Sequence, residues 1–198
     1  MSSINHYFIN DPDLKNKEIN ITYFFKGKQY TFISNSGVFS SLSIDVATDL
    51  LIKTIPPLDG SLLDMGCGYG CIGIVLAKEY SLELTQVDIN QRVIDLTKIN
   101  CEVNDVKSNV LLSDSFNNVT GCFDTITINP PIHAGKSVIY DMYEGSLQHL
   151  NNNGKLYVVI QKKHGAESTV KKLNQVFGHC EILYKKKGYY ILCCTKTV

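Results

Sequence analysis

The segment with the clearest chemical potential is Asn129-Pro130-Pro131, which follows the apolar run Phe123–Ile128. Each proline lacks an amide hydrogen and fixes φ, so the chain must leave the predicted strand in a rigid, extended form. That rigidity holds the Asn129 side chain and the Pro130 carbonyl beside each other as two hydrogen-bond acceptors. Two fixed acceptors suit a planar N–H₂ group, so we predict that Asn129 and Pro130 bind and orient an amine.

A second group of candidate residues joins the strand predicted at Ser61–Met65 to a helix that begins at Cys71. Its glycines allow a tight turn and a close approach of a ligand to the backbone. Their spacing is G-x-G-x-G rather than G-x-G-x-x-G, so the dinucleotide fingerprint is absent. A carboxylate just before them would repel a pyrophosphate and would suit a cationic ligand. The candidate ligand-binding residues here are Asp64, Gly66, Gly68 and Gly70.

Two further carboxylates follow the next two predicted strands. Asp88 follows Glu83–Val87 and could accept hydrogen bonds from both hydroxyls of a ribose, or cap the next helix. Asp114 follows Asn109–Leu112 and could accept from the amine of an adenine, although Asp is also common in turns. Ligands bind at the carboxyl ends of the strands in open α/β sheets, so these side chains and Asn129 predict one pocket for an adenosine-containing ligand without pyrophosphate.

The elements that position these residues alternate between strand and helix from Ser61 onward. This alternation predicts a doubly wound, mostly parallel α/β sheet with seven strands. The last two strands are joined by a turn at Lys187-Gly188 that is too short for a parallel crossover, so they predict a C-terminal antiparallel hairpin. The predicted strands not yet named are Lys155–Ile160, Glu181–Tyr184 and Tyr189–Cys194. The predicted helices are Ile44–Ile55, Cys71–Glu79, Gln91–Val103, Val138–Leu150 and Ala166–Phe177, and Asn152-Asn153-Gly154 is a turn and stop signal.

The first 60 residues do not continue this alternation. Glu18–Phe25 and Gln29–Ile33 predict a β-hairpin that turns at Lys26-Gly27-Lys28. A polar loop then leads to the first helix, which Pro56-Pro57 ends. We therefore predict a single domain over residues 1–198, with 1–60 as a small hairpin-and-helix extension and 61–198 as the ligand-binding catalytic core.

Composition limits the classes of function. The 198 residues are 44% apolar, which suffices for a full core, and contain no run that predicts a transmembrane helix. The N-terminus lacks the basic and apolar regions of a signal peptide, so we expect a cytoplasmic location and no membrane association. The seven cysteines include no C-x-x-C pair, so we expect neither a disulfide framework nor a metal site.

The formal net charge is zero, so the chain as a whole lacks the strongly basic character of many nucleic-acid-binding proteins. Three local basic clusters nevertheless occur, each of which could be an ordinary solvated surface. If they shared one face, they would form a patch able to contact phosphates. The clusters are Lys162-Lys163-His164, Lys171-Lys172 and Lys185-Lys186-Lys187.

Taken together, the motifs resemble those of the class I S-adenosylmethionine-dependent methyltransferases with a Rossmann-like fold. Within that class they are most similar to the small-domain family that includes the ribosomal RNA guanine-N2 methyltransferases. The segments that carry the resemblance are Asp64–Gly70, Asp88-Ile89-Asn90, Ser113-Asp114, Asn129–Lys136 and the loop Ser36-Gly37-Val38-Phe39-Ser40.

The resemblance implies S-adenosylmethionine as cofactor and methyl transfer to an exocyclic amine, most simply guanine N2 in ribosomal RNA or a ribosomal subunit. Asn129 and the Pro130 carbonyl would accept the two N–H bonds of the amine and stabilise the positive charge that develops on it. The resemblance also implies that the cofactor contacts Asn129 together with the glycine and aspartate positions. Substrate contacts are expected from Phe39, Pro131, Ile132 and His133.

Ile132 leaves alternatives for the substrate open, because many N-P-P enzymes have Tyr or Phe there to stack on the target. Protein glutamine-N5 and adenine-N6 methylation would use the same acceptor pair. A nicotinamide oxidoreductase would require G-x-G-x-x-G and a helix in place of the terminal hairpin. A non-catalytic RNA-binding relative is disfavoured by the presence of Asp64, Asp88 and Asn129.

Overall fold

The computed structural model describes residues 18–35 and 43–197. Its strands form a separate N-terminal hairpin and one seven-stranded sheet. The strands are β1 (Glu18–Phe25), β2 (Lys28–Asn35), β3 (Ser61–Met65), β4 (Glu83–Asp88), β5 (Ser108–Leu112), β6 (Phe123–Ile128), β7 (Leu150–Gln161), β8 (Glu181–Lys186) and β9 (Tyr189–Thr195). The helices are α1 (Val46–Thr54), α2 (Cys71–Tyr80), α3 (Gln91–Val103), α4 (Lys136–Gln148) and α5 (Ala166–Phe177).

The large sheet has the order β5-β4-β3-β6-β7-β9-β8. Strands β3 to β7 pair in parallel, whereas β9 runs antiparallel to both β7 and β8. Lys187 and Gly188 turn the terminal hairpin with φ of 52° and 78°, the left-handed geometry of a two-residue hairpin turn. The predicted doubly wound sheet with a C-terminal antiparallel hairpin is confirmed. The winding direction reverses between β3 and β6, where open α/β sheets bind ligands.

The core consists of two apolar clusters, one on each side of the sheet. Successive residues of a strand point to opposite faces, and Leu62 and Leu63 of β3 accordingly belong to different clusters, both fully buried. The first cluster contains residues of the N-terminal hairpin, α1, α2 and α3, and the second contains residues of α4 and α5. Helices on both faces explain why the central strands are nearly continuous apolar runs.

Two asparagines of α3 attach the N-terminal hairpin to the rest of the chain. The Asn100 side chain accepts from the Ile33 amide at 2.7 Å and donates to the Ile33 carbonyl at 2.9 Å. Asn104 makes the same pair of bonds to Thr31, at 3.1 and 2.7 Å. The hairpin turns at Lys26-Gly27 as predicted, with positive φ at both residues. Its inward side chains therefore extend the first apolar cluster rather than forming a separate core.

The largest correction to a predicted boundary concerns β7, whereas other elements shift by one or two residues at an end. The turn signal Asn152-Asn153-Gly154 does not precede a new strand, because β7 runs through it from Leu150 to Gln161. The extra residues are absorbed by a change of register: Phe123 pairs with Leu150, and Thr125 pairs with Lys155. Asn153 adopts a positive φ of 65° within this irregularity. The signal therefore marks a bulge in a long strand rather than its beginning.

Candidate active site

A cavity of about 790 Å³ lies at the carboxyl ends of β3, β4 and β6. This volume falls within the usual range for small-molecule and cofactor sites. The structure brings most of the predicted site residues to its wall. Those that line it are Gly66, Gly68, Asp88, Asp114, Asn129, Pro130, Pro131, Ile132 and His133.

The glycine turn forms one wall and is held in place by buried hydrogen bonds. The amides of Gly66 and Cys67 both donate to the Val87 carbonyl, at 2.8 and 2.9 Å. The Gly68 carbonyl accepts from the Thr97 hydroxyl at 2.7 Å, and the Tyr69 carbonyl accepts from Asn100 at 2.8 Å. Helix α3 therefore fixes the turn from behind.

Asp64 does not line the cavity, contrary to the prediction that it contacts the cofactor. Its carboxylate is 1% exposed and accepts hydrogen bonds from the Gly73 amide at 2.9 Å and the Thr127 hydroxyl at 3.0 Å. Burial raises the pKa of this carboxyl to about 7, although these hydrogen bonds oppose the shift. Asp64 therefore ties the start of α2 to β6 beneath the cavity instead of facing a ligand.

Gly70 is also absent from the cavity wall. It lies immediately before α2 with φ of 90°, a conformation that favours glycine. Its carbonyl accepts from the Gln86 side chain at 3.1 Å, and a Cβ at this position would lie only 3.0 Å from Ile74 and Thr97. The third glycine is thus required for the turn and for close helix packing, while Gly66 and Gly68 present backbone to the cavity.

Asp88 ends β4 at the cavity wall and is 3% exposed. One carboxylate oxygen accepts from the Gly68 amide at 3.2 Å, and the other accepts from the Asn90 amide at 3.0 Å. Asp88 therefore joins the glycine turn to the start of α3 at the cavity wall. Asn90 caps α3 as predicted, because its side chain accepts from the Arg92 amide at 3.0 Å.

Asp114 is exposed and reaches the same cavity from the loop after β5. The preceding Ser113 is buried, and its hydroxyl accepts from the Asn118 amide at 2.9 Å and donates to the Ser115 carbonyl at 2.9 Å. These bonds shape the loop and leave the Asp114 carboxylate at the wall. Asp88 and Asp114 are therefore the carboxylates of the predicted set that a ligand in the cavity can contact.

Asn129 lies at the end of β6, on the opposite wall from Asp114. Its side-chain Nδ2 donates to Thr48 Oγ1 at 3.1 Å, and Thr48 itself is 5% exposed. Because the side-chain nitrogen of Asn129 is hydrogen-bonded to α1, Oδ1 is the side-chain atom that can accept a hydrogen bond from a ligand. Asn129 therefore has the orientation required to accept a hydrogen bond from an amine.

The residues after Asn129 form a short 3₁₀ turn over Ile132–Ala134. The Ala134 amide closes it on the Pro131 carbonyl at 2.9 Å. Ile132 is half-buried and packs against the second apolar cluster, whereas His133 is exposed at the cavity. Phe39, the remaining predicted substrate contact, lies outside the described residues.

The cavity also contains residues that sequence reasoning missed. Asp45 and Thr48 line it from α1, and His164 lines it from the 3₁₀ turn after β7. Asp45 caps α1, with its carboxylate accepting from the Ala47 and Thr48 amides. Its cap signature was visible in the sequence, but nothing there indicates that α1 approaches Asn129 from 81 residues away.

The residues at the cavity fit S-adenosylmethionine. Asp88 and Asp114 supply acceptors at the ends of neighbouring strands, the glycine turn leaves room for a ligand to approach the backbone, and Ile89 adds an apolar surface between them. The described residues contain no cluster of His, Cys, Asp and Glu suited to a metal ion. No helix in residues 18–35 and 43–197 is long and apolar enough to cross a membrane. Fold and site together define a Rossmann-like, S-adenosylmethionine-dependent methyltransferase.

The family follows from comparison with known proteins. The model of the family described as "Methyltransferase small domain" matches residues 29–193, so the chain belongs to that family. An uncharacterized protein of Bacillus subtilis, YbxB, is 39% identical over 197 residues, which cover 96% of this chain and 98% of the relative. The resemblance to the small-domain methyltransferases is thereby confirmed.

Relatives with more specific names match over a shorter share of their length. Ribosomal RNA small subunit methyltransferase C of Aeromonas hydrophila is 37% identical over 66% of this chain and 40% of the relative. The 16S rRNA N2 methyltransferase of T. thermophilus, solved with AdoMet and guanosine, superposes with a TM-score of 0.80 at 26% identity, covering 93% of this chain and 52% of that one. The chain spans about half the length of these relatives or less.

Proposed function

We propose that the protein transfers a methyl group from S-adenosylmethionine to the exocyclic N2 amine of a guanine in ribosomal RNA. The observation that carries the proposal is the fixed Asn129 side chain, whose Oδ1 is left as an acceptor at the wall of a cofactor-sized cavity. Ribosomal RNA as substrate is supported by the relatives that are ribosomal RNA methyltransferases and by the guanosine bound to the T. thermophilus enzyme. Such a substrate corresponds to a cytoplasmic location.

Bound S-adenosylmethionine supplies an electrophilic methyl group. The residues of this chain then need to position a weak nucleophile, because the lone pair of an exocyclic amine is delocalised into the ring. Asn129 Oδ1 and the Pro130 carbonyl accept the two N–H bonds and orient the lone pair. As the amine gains positive charge, both oxygens stabilise it, and they do so without reorganisation because the prolines hold the backbone in place. The bond from sulfur to the methyl carbon breaks as the new bond to nitrogen forms, so S-adenosylhomocysteine leaves, and the methylated amine then releases one proton to solvent.

The base must leave its helix or loop to reach this cavity, whose wall includes Ile132 and His133. Extrusion of a base from a duplex costs about a few kcal/mol and is cheapest for an unpaired nucleotide. Ile132 can pack against the plane of a base but supplies no aromatic stacking. We therefore expect an acceptor in a single-stranded or weakly paired segment.

Protein glutamine-N5 and adenine-N6 methylation are the alternatives, since both acceptors present a planar N–H₂ to the same pair of oxygens. The aliphatic side chain at Ile132 disfavours the glutamine reaction, because those enzymes are expected to carry Tyr there. No feature of the cavity favours adenine, and the guanosine complex of the related structure favours guanine.

The test compares the nucleosides of total ribosomal RNA by mass spectrometry between the parent strain, a deletion strain, and deletion strains complemented with wild type or Asn129→Ala. We expect loss of one N2-methylguanosine on deletion, and its return only with wild type. An unchanged set of nucleosides would overturn the proposal and direct attention to a protein acceptor.

Calorimetric titration of the purified protein should show binding of S-adenosylmethionine and none of NAD.

A further inference from the structure

Two of the three lysine clusters meet beside the active-site cavity. The 3₁₀ turn Lys162–His164 follows β7, and Lys185–Lys187 covers the end of β8 and its turn. The Lys162 amide donates to the Gly188 carbonyl at 2.8 Å, which joins the two segments directly. We call these six side chains the basic rim: Lys162, Lys163, His164, Lys185, Lys186 and Lys187.

The sheet topology brings the basic rim to the catalytic edge. Strand β7 is parallel to β6, and β8 is parallel to β7 because both pair antiparallel with β9. The ends of β7 and β8 therefore lie at the same edge as Asn129, which follows β6. His164 lines the cavity together with Asn129 and His133, so the rim is continuous with the site.

The charges of the rim are exposed, and few acids lie near it along the chain. All six side chains are exposed. The sequence has no Asp or Glu over residues 145–166 or 182–198, and the nearest acid along the chain is Glu167 on α5. By contrast, Lys28 pairs with Glu79 and Lys53 pairs with Asp49. In a chain of zero net charge, the rim is thus a local concentration of positive charge.

The third lysine cluster does not join the rim, because Lys172 is used within the fold. Its Nζ pairs with Glu144 of α4 and lies 5.3 Å from the centre of the Tyr140 ring. Lys172 is half-buried by these contacts. Lys185 of the rim also lies over an aromatic ring, 4.9 Å from the centre of Tyr190, but it remains exposed. The rim lysines therefore keep their charge available to a partner.

We propose that the basic rim binds the phosphate backbone of RNA on one side of the nucleotide whose base enters the cavity. This inference rests on the proposed function. Lysine ammonium groups act as mobile point charges toward phosphates, so the rim supplies affinity and orientation without reading sequence. The basic rim begins at His164 on the cavity wall. An RNA strand that is bound along the rim therefore passes over Asn129.

The test uses the variant Lys162→Ala/Lys163→Ala/Lys185→Ala/Lys187→Ala, which leaves His164 and the cavity intact. The matched control is Lys98→Ala/Lys107→Ala, two exposed lysines on α3 and at the β5 edge, the opposite edge of the sheet. Binding of fluorescein-labelled single-stranded RNA is measured across a salt titration. Each lost phosphate contact lowers the slope of log K against log salt by about 0.7, so we expect the slope to fall by roughly 2 to 3 in the rim variant and to stay unchanged in the control.

A rim variant whose RNA affinity and salt slope equal those of the control would overturn the inference. Equally tight, rim-dependent binding of polyglutamate at the same ionic strength would also overturn it, because it would assign the rim to acidic protein. Calorimetry should give the same S-adenosylmethionine affinity for all three proteins, which excludes misfolding as the cause. If wild type binds RNA through the rim but deletion leaves every ribosomal nucleoside unchanged, the rim stands and the proposed function fails.

Discussion

The two walls of the cavity are built in different ways. On the cofactor wall, defined by the turn Gly66–Tyr69, Asp88 and Asp114, buried side chains satisfy the backbone of the turn: Thr97 and Asn100 donate to its carbonyls. On the clamp wall, defined by Asn129–Ala134, two prolines fix the backbone and Asn129 makes its hydrogen bond to Thr48. One wall is rigid through a polar network, and the other through covalent geometry.

This difference indicates how each wall is used. Interior hydrogen bonds consume acceptors, so the cofactor wall leaves little besides Asp88, Asp114 and the glycine backbone for a ligand. Prolines give rigidity without consuming any acceptor, because they restrict φ and carry no amide hydrogen. The clamp wall can therefore hold Asn129 Oδ1 and the Pro130 carbonyl still while keeping both available to an amine.

The largest expected effect comes from Asn129→Ala on the clamp wall. Loss of Oδ1 removes an acceptor that acts on the charge developing in the transition state, so we expect kcat to fall by about 100- to 1,000-fold. The S-adenosylmethionine affinity should stay nearly unchanged, since the cofactor wall is fixed without Asn129. Single-turnover transfer from labelled S-adenosylmethionine and calorimetry measure the two quantities. Full activity in this variant would exclude Asn129 from the mechanism.

Asp88→Asn tests the cofactor wall. In contrast to Asn129→Ala, it should change the S-adenosylmethionine affinity more than it changes kcat. The amide keeps one acceptor for the Gly68 or Asn90 N–H but replaces the other with donors, so a ribose loses a charged acceptor. We expect S-adenosylmethionine to bind about 10- to 100-fold more weakly, with a smaller change in kcat at saturation. Asp114→Asn, at an exposed position on the same wall, is the matched control and should cost less. An unchanged affinity in Asp88→Asn would contradict the assignment.

Much of this architecture is predictable from local pattern. The bounds of β3, β6 and α5 agree with those predicted from the apolar pattern. The positions of Asp88 and Asn129 follow from one rule, that parallel strands end at a common edge. Predictions that depend only on strand direction and on the spacing of apolar residues therefore agree with the structure.

The failures concern contacts between segments that are distant in sequence. Asp64 is predicted to contact the cofactor, but its carboxylate is bonded to the Gly73 amide, and α2 approaches so closely there that an added Cβ would lie 2.8 Å from Gln86. The bond between Thr48 and Asn129 and the meeting of the lysine clusters likewise depend on how α1 and β9 pack. No local pattern encodes those distances.

Asp64→Asn tests the polar network beneath the cofactor wall through pH. Because burial raises the pKa of Asp64 from 3.8 to about 7, the folded protein holds this proton more tightly than the unfolded chain. Its contribution to stability is therefore complete below about pH 4 and is lost as pH rises through 7. Asparagine stays neutral, so relative to the variant we expect wild type to lose on the order of 2 to 4 kcal/mol between pH 4 and 8.

Urea unfolding at a series of pH values measures this difference, and Asp114→Asn provides an exposed carboxylate for comparison. Groups common to both proteins, including Asp124 with its lowered pKa, cancel when the variant is subtracted from wild type. Parallel stability curves for wild type and Asp64→Asn would show that the Asp64 carboxyl is not held neutral by its burial.

The smallest expected effect is that of Thr48→Val, which removes the partner of Asn129 Nδ2 while preserving side-chain shape. The Asn129 amide can then rotate, so we expect kcat to fall by about 3- to 10-fold, with S-adenosylmethionine affinity and thermal stability close to wild type. Thr48→Ser keeps the hydroxyl and should restore kcat, which separates a positioning role from a packing role. Equal kcat values for the Val and Ser variants would contradict it.

A double-mutant cycle sharpens the same point. If Thr48 acts only by orienting Asn129, then Thr48→Val should have no further effect on kcat once Asn129 is Ala, and the two losses will not add. Additive losses would mean that Thr48, which also lines the cavity, contacts the acceptor itself. The clamp wall would then include α1 as a binding surface, and its rigidity would no longer come from the prolines alone.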